Sequence, residues 1–333
     1  MSSLLTNSSA MVALTTLRNI NTDLADTQSR ISTGMRVADA SDNAAYWSIA
    51  TTMRSDNEAL GAVQDALGLG AATVDVAFTA MDQAEGVATQ IKAKLLAATK
   101  DGVDRGQIQA DITALQDQLS TIAASASFNG ENWLSQDTSV ADYSSDKSFV
   151  GTFTRTADNE PELQNIDIDI LEMILVDGDT DAATNKGLLT ADLSAELNAA
   201  ILAAGGTALT DYTLVGGDAT SVDFLKIDIS DLEDGNTEHQ IILRALGNAV
   251  DGVLKDMTDA AAELGSTKGR VDMQMEFVKN LTDAVDRGIG QLVDADMNAE
   301  STRLQALQTQ QQLGIQALSI ANSGSQNILS LFR

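Results

Sequence analysis

The sequence predicts a mostly α-helical protein. Its N- and C-terminal halves form a long antiparallel coiled-coil or helical-bundle rod, with a small α+β outer domain inserted between them. Three observations lead there. Apolar residues repeat at steps of three and four over long stretches at both ends; the 333-residue chain has a single proline; and residues 137–236 change in both pattern and charge. Few helix breakers and many small residues suit long, closely packed helices.

The elements follow in order. Leu14, Leu17, Asn21, Leu24, Gln28, Ile31 and Met35 hold a first heptad register. A second series runs from Ile49 through Met53, Asp56, Leu60, Val63, Leu67, Gly70, Val74, Ala77, Met81, Ala84, Ala88, Ile91, Leu95 and Ala98, and only Asp56 and Gly70 interrupt it. A helix over 42–98 would span roughly 85 Å at 1.5 Å per residue, a rod that no compact domain of this size needs. After the AATKDGVDRG break, Ile108, Ile112, Leu115, Leu119, Ile122 and Ala126 mark a shorter helix. From Ser135 the pattern shifts to short segments bounded by Gly, Asp and Asn, which predict strands over Ser148–Thr154, Ile166–Val176, Tyr212–Val215 and Phe224–Ile229, with a helix over Thr190–Ala204. Beyond it, Val271, Met275, Val278, Thr282, Val285, Ile289 and Leu292 form one stripe; Leu304, Leu307, Gln311, Gly314, Leu318, Ala321, Ser325, Ile328 and Phe332 form another. Repeats this long mean coiled-coil packing, with an ordinary bundle core as the blander reading. The terminal stripes carry polar and small residues, so a lone terminal helix is weak and needs partners, from the same chain or from other subunits.

Charge divides the chain the same way. The net charge of −28 comes from 20 Lys and Arg against 48 Asp and Glu. Residues 137–236 hold 4 basic and 21 acidic side chains, against 8 and 15 before them and 8 and 12 after. Residues 1–40 and 296–333 are each neutral. Neutral ends with apolar stripes read as segments to be buried, and an acidic middle as a solvated outer part. A chain this acidic is repelled by phosphate backbones and anionic lipid, so neither nucleic acid nor a membrane is an expected partner. No run approaches a membrane span, and the N-terminus lacks the charge and apolar core of a cleaved signal peptide.

Chemistry is poorly supplied. With no Cys and one His (His239), thiolate catalysis, cysteine zinc sites and His-rich metal sites are excluded. DGDTDAATNKGL (177–188) spaces Asp as in a calcium loop, but Ala182 stands where the sharp turn wants Gly and Leu188 where a bidentate Glu closes the site. GLGAAT (68–73) lacks the third Gly of a dinucleotide fingerprint and lies within a heptad, so it reads as close helix packing. His239, where the chain returns to helix, reads as a surface or boundary residue. No catalytic, cofactor or metal site is expected, and the protein is not expected to be an enzyme.

Particular residues then point to a family. ISTGMRVADASDNAAYWSIATTMRSDN (31–57) resembles the N-terminal flagellin signature, matching at Ser32, Gly34, Arg36, Asp42, Ala44, Ala45, Ile49, Ala50 and Met53. SFNGENWL (127–134), with Phe128, Asn129 and Gly130, looks like the flagellin hairpin that closes the N-terminal half. LVDADMNAESTRLQALQTQQQLGIQALSIANSGSQNILSLFR (292–333) is similar to the C-terminal signature, down to Leu329 and the final basic Arg333. Tyr46-Trp47-Ser48 departs from the Gly-Leu-Ala of many members and looks like the alphaproteobacterial branch.

The resemblance implies a subunit of the bacterial flagellar filament, extracellular and exported by the flagellar type III system without a cleaved signal. It implies three parts: an inner terminal coiled coil of 1–41 and 296–333, a helical-bundle rod of 42–136 and 237–295, and a variable surface domain of 137–236. The expected subunit interface is Leu14, Leu17, Leu24, Ile31, Leu304, Leu307, Gly314, Leu318, Ala321 and Ile328. The expected partners are other copies or other flagellins, the export apparatus and a chaperone, the filament cap and the hook-junction proteins. A flagellin-like hook–filament junction protein is the alternative.

Overall fold

In the computed structural model, residues 7–330 are described apart from 101, 141–142, 157, 159, 180–184, 206–221 and 234–235, with side chains to residue 323. The elements are α1 (Ser8–Thr33), α2 (Ala44–Ala98), α3 (Arg105–Ser125), β1 (Ser127–Phe128), β2 (Glu131–Asn132), β3 (Ser135–Gln136), β4 (Asp146–Arg155), β5 (Pro161–Asp169), β6 (Val176–Asp177), α4 (Ser194–Ala203), α5 (Thr237–Val293) and α6 (Met297–Ser330). Short 3₁₀ turns lie at Leu171–Met173 and Phe224–Lys226. The chain divides into two compact units, one of residues up to Ala59 and from Asn280 onward, the other of Leu60–Lys279.

In the second unit α2 and α5 run antiparallel in matched register. The Lys268–Asp75 ion pair, Gly265 beside Phe78, Thr258 Oγ1 donating to Glu85 Oε1, and the Lys92–Asp251 ion pair step down one helix as they step up the other. The last two intervals are one heptad each, so the repeat holds the same face inward. The buried stripe, Val74, Ala77, Met81, Ala84, Ala88, Ile91, Leu95 and Ala98, is the one the spacing predicts. Asp104 caps α3 by accepting from Gln107 N, and Ile108, Ile112, Leu119 and Ala123 bury one face of that helix.

The β1–β2 hairpin turns through Asn129 and Gly130, both with positive φ, the geometry for which Asn-Gly is the preferred pair. Asn132 ties it down: Nδ2 donates to Ala123 O, while Oδ1 accepts from Leu134 N and Ser135 N. β3 pairs parallel with β6, and β4 pairs antiparallel with β5. A bulge at Gly151 shifts the β4 register where a Cβ would press on Ile166. The lone proline opens β5, a strand position that needs no ladder donor.

The segments read from the middle sequence need correction at three places. Ile166–Val176 is not one strand: β5 ends at Asp169, and a 3₁₀ turn intervenes before β6. Phe224–Ile229 is a 3₁₀ turn followed by extended chain. Its backbone bonds to α3 side chains rather than to a neighbouring strand: Gln116 Nε2 donates to Phe224 O and Ile227 O, and Gln109 bonds Ile227 O and Ile229 N. Helix α4 starts at Ser194, because Thr190 N and Ala191 N turn back to Gly187 O. The strand expected at Tyr212–Val215 lies outside the described residues. Ile170, Met173, Leu175, Leu189, Leu197, Phe224, Ile227 and Ile229 join the α2–α3–α5 core.

Candidate assembly interface

The terminal helices carry the residues expected to assemble. Asn7 caps α1, its Oδ1 accepting from Ala10 N while its Nδ2 donates to Ala321 O on α6. Gly34 ends α1 at φ 72°, its N–H bonded to Arg30 O; few residues other than glycine adopt that conformation at low cost. Asp296 opens α6, accepting from Asn298 N and Ala299 N.

The two helices pack antiparallel. Asn7 meets Ala321, Leu17 lies beside Gly314, Gln311 Nε2 donates to Asn21 Oδ1 at 2.7 Å, and Arg30 pairs with Glu300 at 3.5 Å. The second carboxylate oxygen of Glu300 is buried without a partner. A Cβ added at Gly314 would meet Leu17 Cδ1 at 3.5 Å, ordinary contact, so the glycine sets a near backbone approach without being sterically required for it.

The seam is rotated from the predicted stripe. Leu17, Leu24 and Ile31 are half-buried, but Leu14 is 39% exposed and Gln28 is exposed, while Asn21, also exposed, reaches the edge of the seam to meet Gln311. Ala13, Ile20 and Thr27 take the alternate positions, and Thr27 is buried at 2% exposure. That set also repeats in threes and fours; the bulk of Leu14 masked it. On α6, Leu307 is buried while Leu304, Gly314, Leu318 and Ala321 are half-buried. The side chains of Ile328 and Leu329, and Arg333 altogether, lie outside the described residues.

Apolar side chains remain uncovered on both helices: Met11, Val12 and Leu14 on α1, and Leu313, Ile315 and Ile320 on α6.

The loops between α1 and α2 and between α5 and α6 are bonded to each other. Arg36 N and Val37 N both donate to Val293 O, Ala295 N donates to Gly34 O, and an Arg36 Nη donates to Leu292 O. Asp42 holds the first loop by accepting from Ala38 N and Asp39 N. These bonds give three of the matched positions a physical reason: Gly34 for its backbone, Arg36 and Asp42 for their donors and acceptors. Ser32, Ala44 and Ala45 are exposed; Ala45 N bonds to Asn43 Oδ1, which caps α2. Spacing alone missed this junction, since nothing periodic marks a loop.

Elsewhere, no constellation for chemistry forms. His239 sits in the first turn of α5, buried, with Nδ1 accepting from Glu233 N at 2.7 Å. The Asp177 carboxylate accepts from Thr138 N and Oγ1, Asp179 N and Lys186 N. Burial alone would raise its pKa, but these hydrogen bonds, led by the Lys186 amide, outweigh burial and hold it below the usual carboxylate range. Asp181, the remaining acidic position of that loop, lies outside the described residues. Among the described residues no group of three or more His, Cys, Asp or Glu could hold a metal ion, and no helix is long and apolar enough to cross a membrane.

Two family descriptions match the chain: the bacterial flagellin N-terminal helical region over residues 4–139, and the bacterial flagellin C-terminal helical region over residues 248–332. Among relatives, the chain is 46% identical to Flagellin A of Rhizobium meliloti (strain 1021) over 396 residues, with all of both chains covered. It is 49% identical to Flagellin C of the same strain over 333 residues, and 39% identical to a flagellin of Brucella melitensis over 335, again with both chains covered throughout. The matched regions hold the capped terminal helices, the bonded loop junction and the Asn-Gly hairpin described above, and the chain belongs to the bacterial flagellin family.

Proposed function

We propose that this chain is a structural subunit of the bacterial flagellar filament and performs no catalysis. The observation that carries the proposal is the α1–α6 pair: two long helices held in register by a few polar contacts, with large apolar side chains left on their outer faces. A 26-residue helix with one buried side chain is marginal on its own pairing. Neighbouring copies supply the missing contacts, so ordering and association occur together. A contact between unlike faces that does not close on itself builds a helical filament.

In this proposal residues 1–41 and 296–333 form the inner tube, 42–136 and 237–295 the surrounding bundle, and 137–236 the outer, strongly acidic surface. Leu17, Leu24, Ile31, Leu304, Leu307, Gly314, Leu318 and Ala321 set the pairing of α1 with α6, while Leu14 faces a neighbour. The subunit is extracellular and leaves through the flagellar export apparatus. Its partners are further copies or other flagellins, a chaperone, the filament cap and the hook-junction proteins.

Negative-stain microscopy after adding a precipitating salt and short filament fragments as seeds tests this. Long uniform filaments are expected; seeds that are merely capped would favour a hook–filament junction protein. Leu304→Asp and Leu318→Asp should abolish growth while leaving the Leu60–Lys279 unit folded, and normal filaments from either would show that the α1–α6 pairing is not needed for assembly.

A further inference from the structure

We propose that, in the second unit, Met273 and Phe277 on the outer face of α5 seat in the groove between α2 and α3 of another copy of this chain. This deepens the filament reading and rests on it.

Helix α5 buries one apolar face and exposes two large apolar side chains on another. Val271 and Val278 are buried against the core, whereas Met273 is 66% and Phe277 54% exposed. They are not scattered: Ser266, Arg270, Met273 and Phe277 repeat at four, three and four residues, all exposed, as a second heptad stripe turned away from the first. Two large apolar side chains one turn apart on an exposed face form a patch suited to a partner. Among the described residues nothing covers that pair.

The same unit carries a receptor of matching character. Between α2 and the end of α3 lies an open groove of about 340 Å³, lined by apolar Val76, Ala80, Ile122 and Ala126 and by polar Asp75, Thr79, Gln83 and Ser125. Its apolar part is Val76, Ala80, Ile122 and Ala126, and the α5 stripe offers two large, adaptable apolar side chains to meet them. The charges agree as well: Arg270 stands one turn before Met273, and the groove offers the Asp75 carboxylate. Within one copy Asp75 pairs with Lys268, so a second cation joins an existing pair rather than a bare charge. The occupant is therefore another copy, and because knob and groove are different surfaces the contact repeats head to tail without closing.

The chain has no cysteine, so thiols can be placed freely. Full-length Phe277→Cys/Thr79→Cys protein is polymerised from seeds, treated with a short bis-maleimide, and run on a denaturing gel. A covalent ladder is expected from the double variant, with nothing beyond dimers from either single variant. Filaments of ordinary length that yield no ladder overturn the contact and leave the filament reading intact; failure of the unmodified chain to extend seeds overturns that reading instead. Should the double variant not polymerise, Met273→Ala and Phe277→Ala decide. Each should raise the concentration needed for seeded growth about tenfold, as loss of an interface anchor does, without changing helix content. An unchanged threshold overturns the proposal.

Discussion

Gly70 interrupts the α2 heptad, and the structure supplies the reason. A Cβ there would stand 2.9 Å from Phe149 Cγ and 3.1 Å and 3.2 Å from the two Cδ atoms. The ring cannot retreat, because its other side stacks on buried Trp133 at 5.8 Å between centroids and 8° between planes. Two effects then oppose each other in Gly70→Ala. Helix propensity favours alanine by about 1 kcal/mol. Overpacking a filled site costs about 1–3 kcal/mol, and with the ring pinned between helix and indole the upper part of that range applies. The net expectation is a loss of about 1–2 kcal/mol. In a Phe149→Ala background the clash is gone, and the same glycine substitution should instead stabilise by about 1 kcal/mol. Urea unfolding followed by Trp133 emission, with the second tryptophan removed as Trp47→Phe, reads the relevant unit alone. A stabilising Gly70→Ala in the presence of Phe149, or an equal effect in both backgrounds, would refute the reasoning.

Three further outcomes are expected. Asp177 has its carboxyl pKa lowered in the folded chain, so its hydrogen bonds contribute stability above the unfolded value of about 3.9 and lose it as pH falls through the lower folded value. The stability gap between the unmodified chain and Asp177→Asn should therefore shrink below about pH 4; a gap independent of pH would refute the assignment. Gly187→Ala places a Cβ 2.6 Å from the Asp177 amide nitrogen, a backbone atom that cannot step aside, and should cost about 1–3 kcal/mol in urea unfolding, with no loss refuting the contact. Gln116→Leu strips buried carbonyls at Phe224 and Ile227 of a donor and should cost about 1–3 kcal/mol, with faster hydrogen exchange over 222–233; unchanged exchange would show that the segment is held by its apolar side chains alone.

Legibility in the sequence followed the range of the interactions involved. Helix α2 and the 271–292 part of α5 are readable because their burial repeats with the helix itself, and the Asn-Gly turn because its backbone demands that pair. The 3₁₀ turn at Phe224–Lys226 was misread as strand: its apolar residues are buried, but the groups that decide its backbone path, Gln109 and Gln116, lie more than a hundred residues earlier. Arg105 was likewise invisible. An arginine at a helix start normally reads as solvent-facing, yet this one is buried and donates to the carbonyls of Ala98, Leu232 and Glu233. On α1 the face that meets α6 within one chain takes Ala13, Ile20 and Thr27 in place of Leu14, Asn21 and Gln28 at alternate positions, a split between pairing face and outer face that the spacing does not distinguish.

The same comparison separates what each helix needs. Over 21 residues α3 buries Arg105, Ile108, Ile112, Gln116, Leu119 and Ala123, and its polar members grip main-chain carbonyls of the returning segment. Its buried face is completed within one chain. Over 26 residues α1 buries only Thr27, and several of its threonines spend their hydroxyls on carbonyls one turn back. That back-bonding keeps polar atoms satisfied without a partner, so the exposed face of α1 can meet either water or apolar neighbours with no buried donor left over. Met11, Val12 and Leu14 supply the reason to prefer neighbours. A helix so equipped tolerates solvent in the free subunit and gains free energy on docking against apolar neighbours.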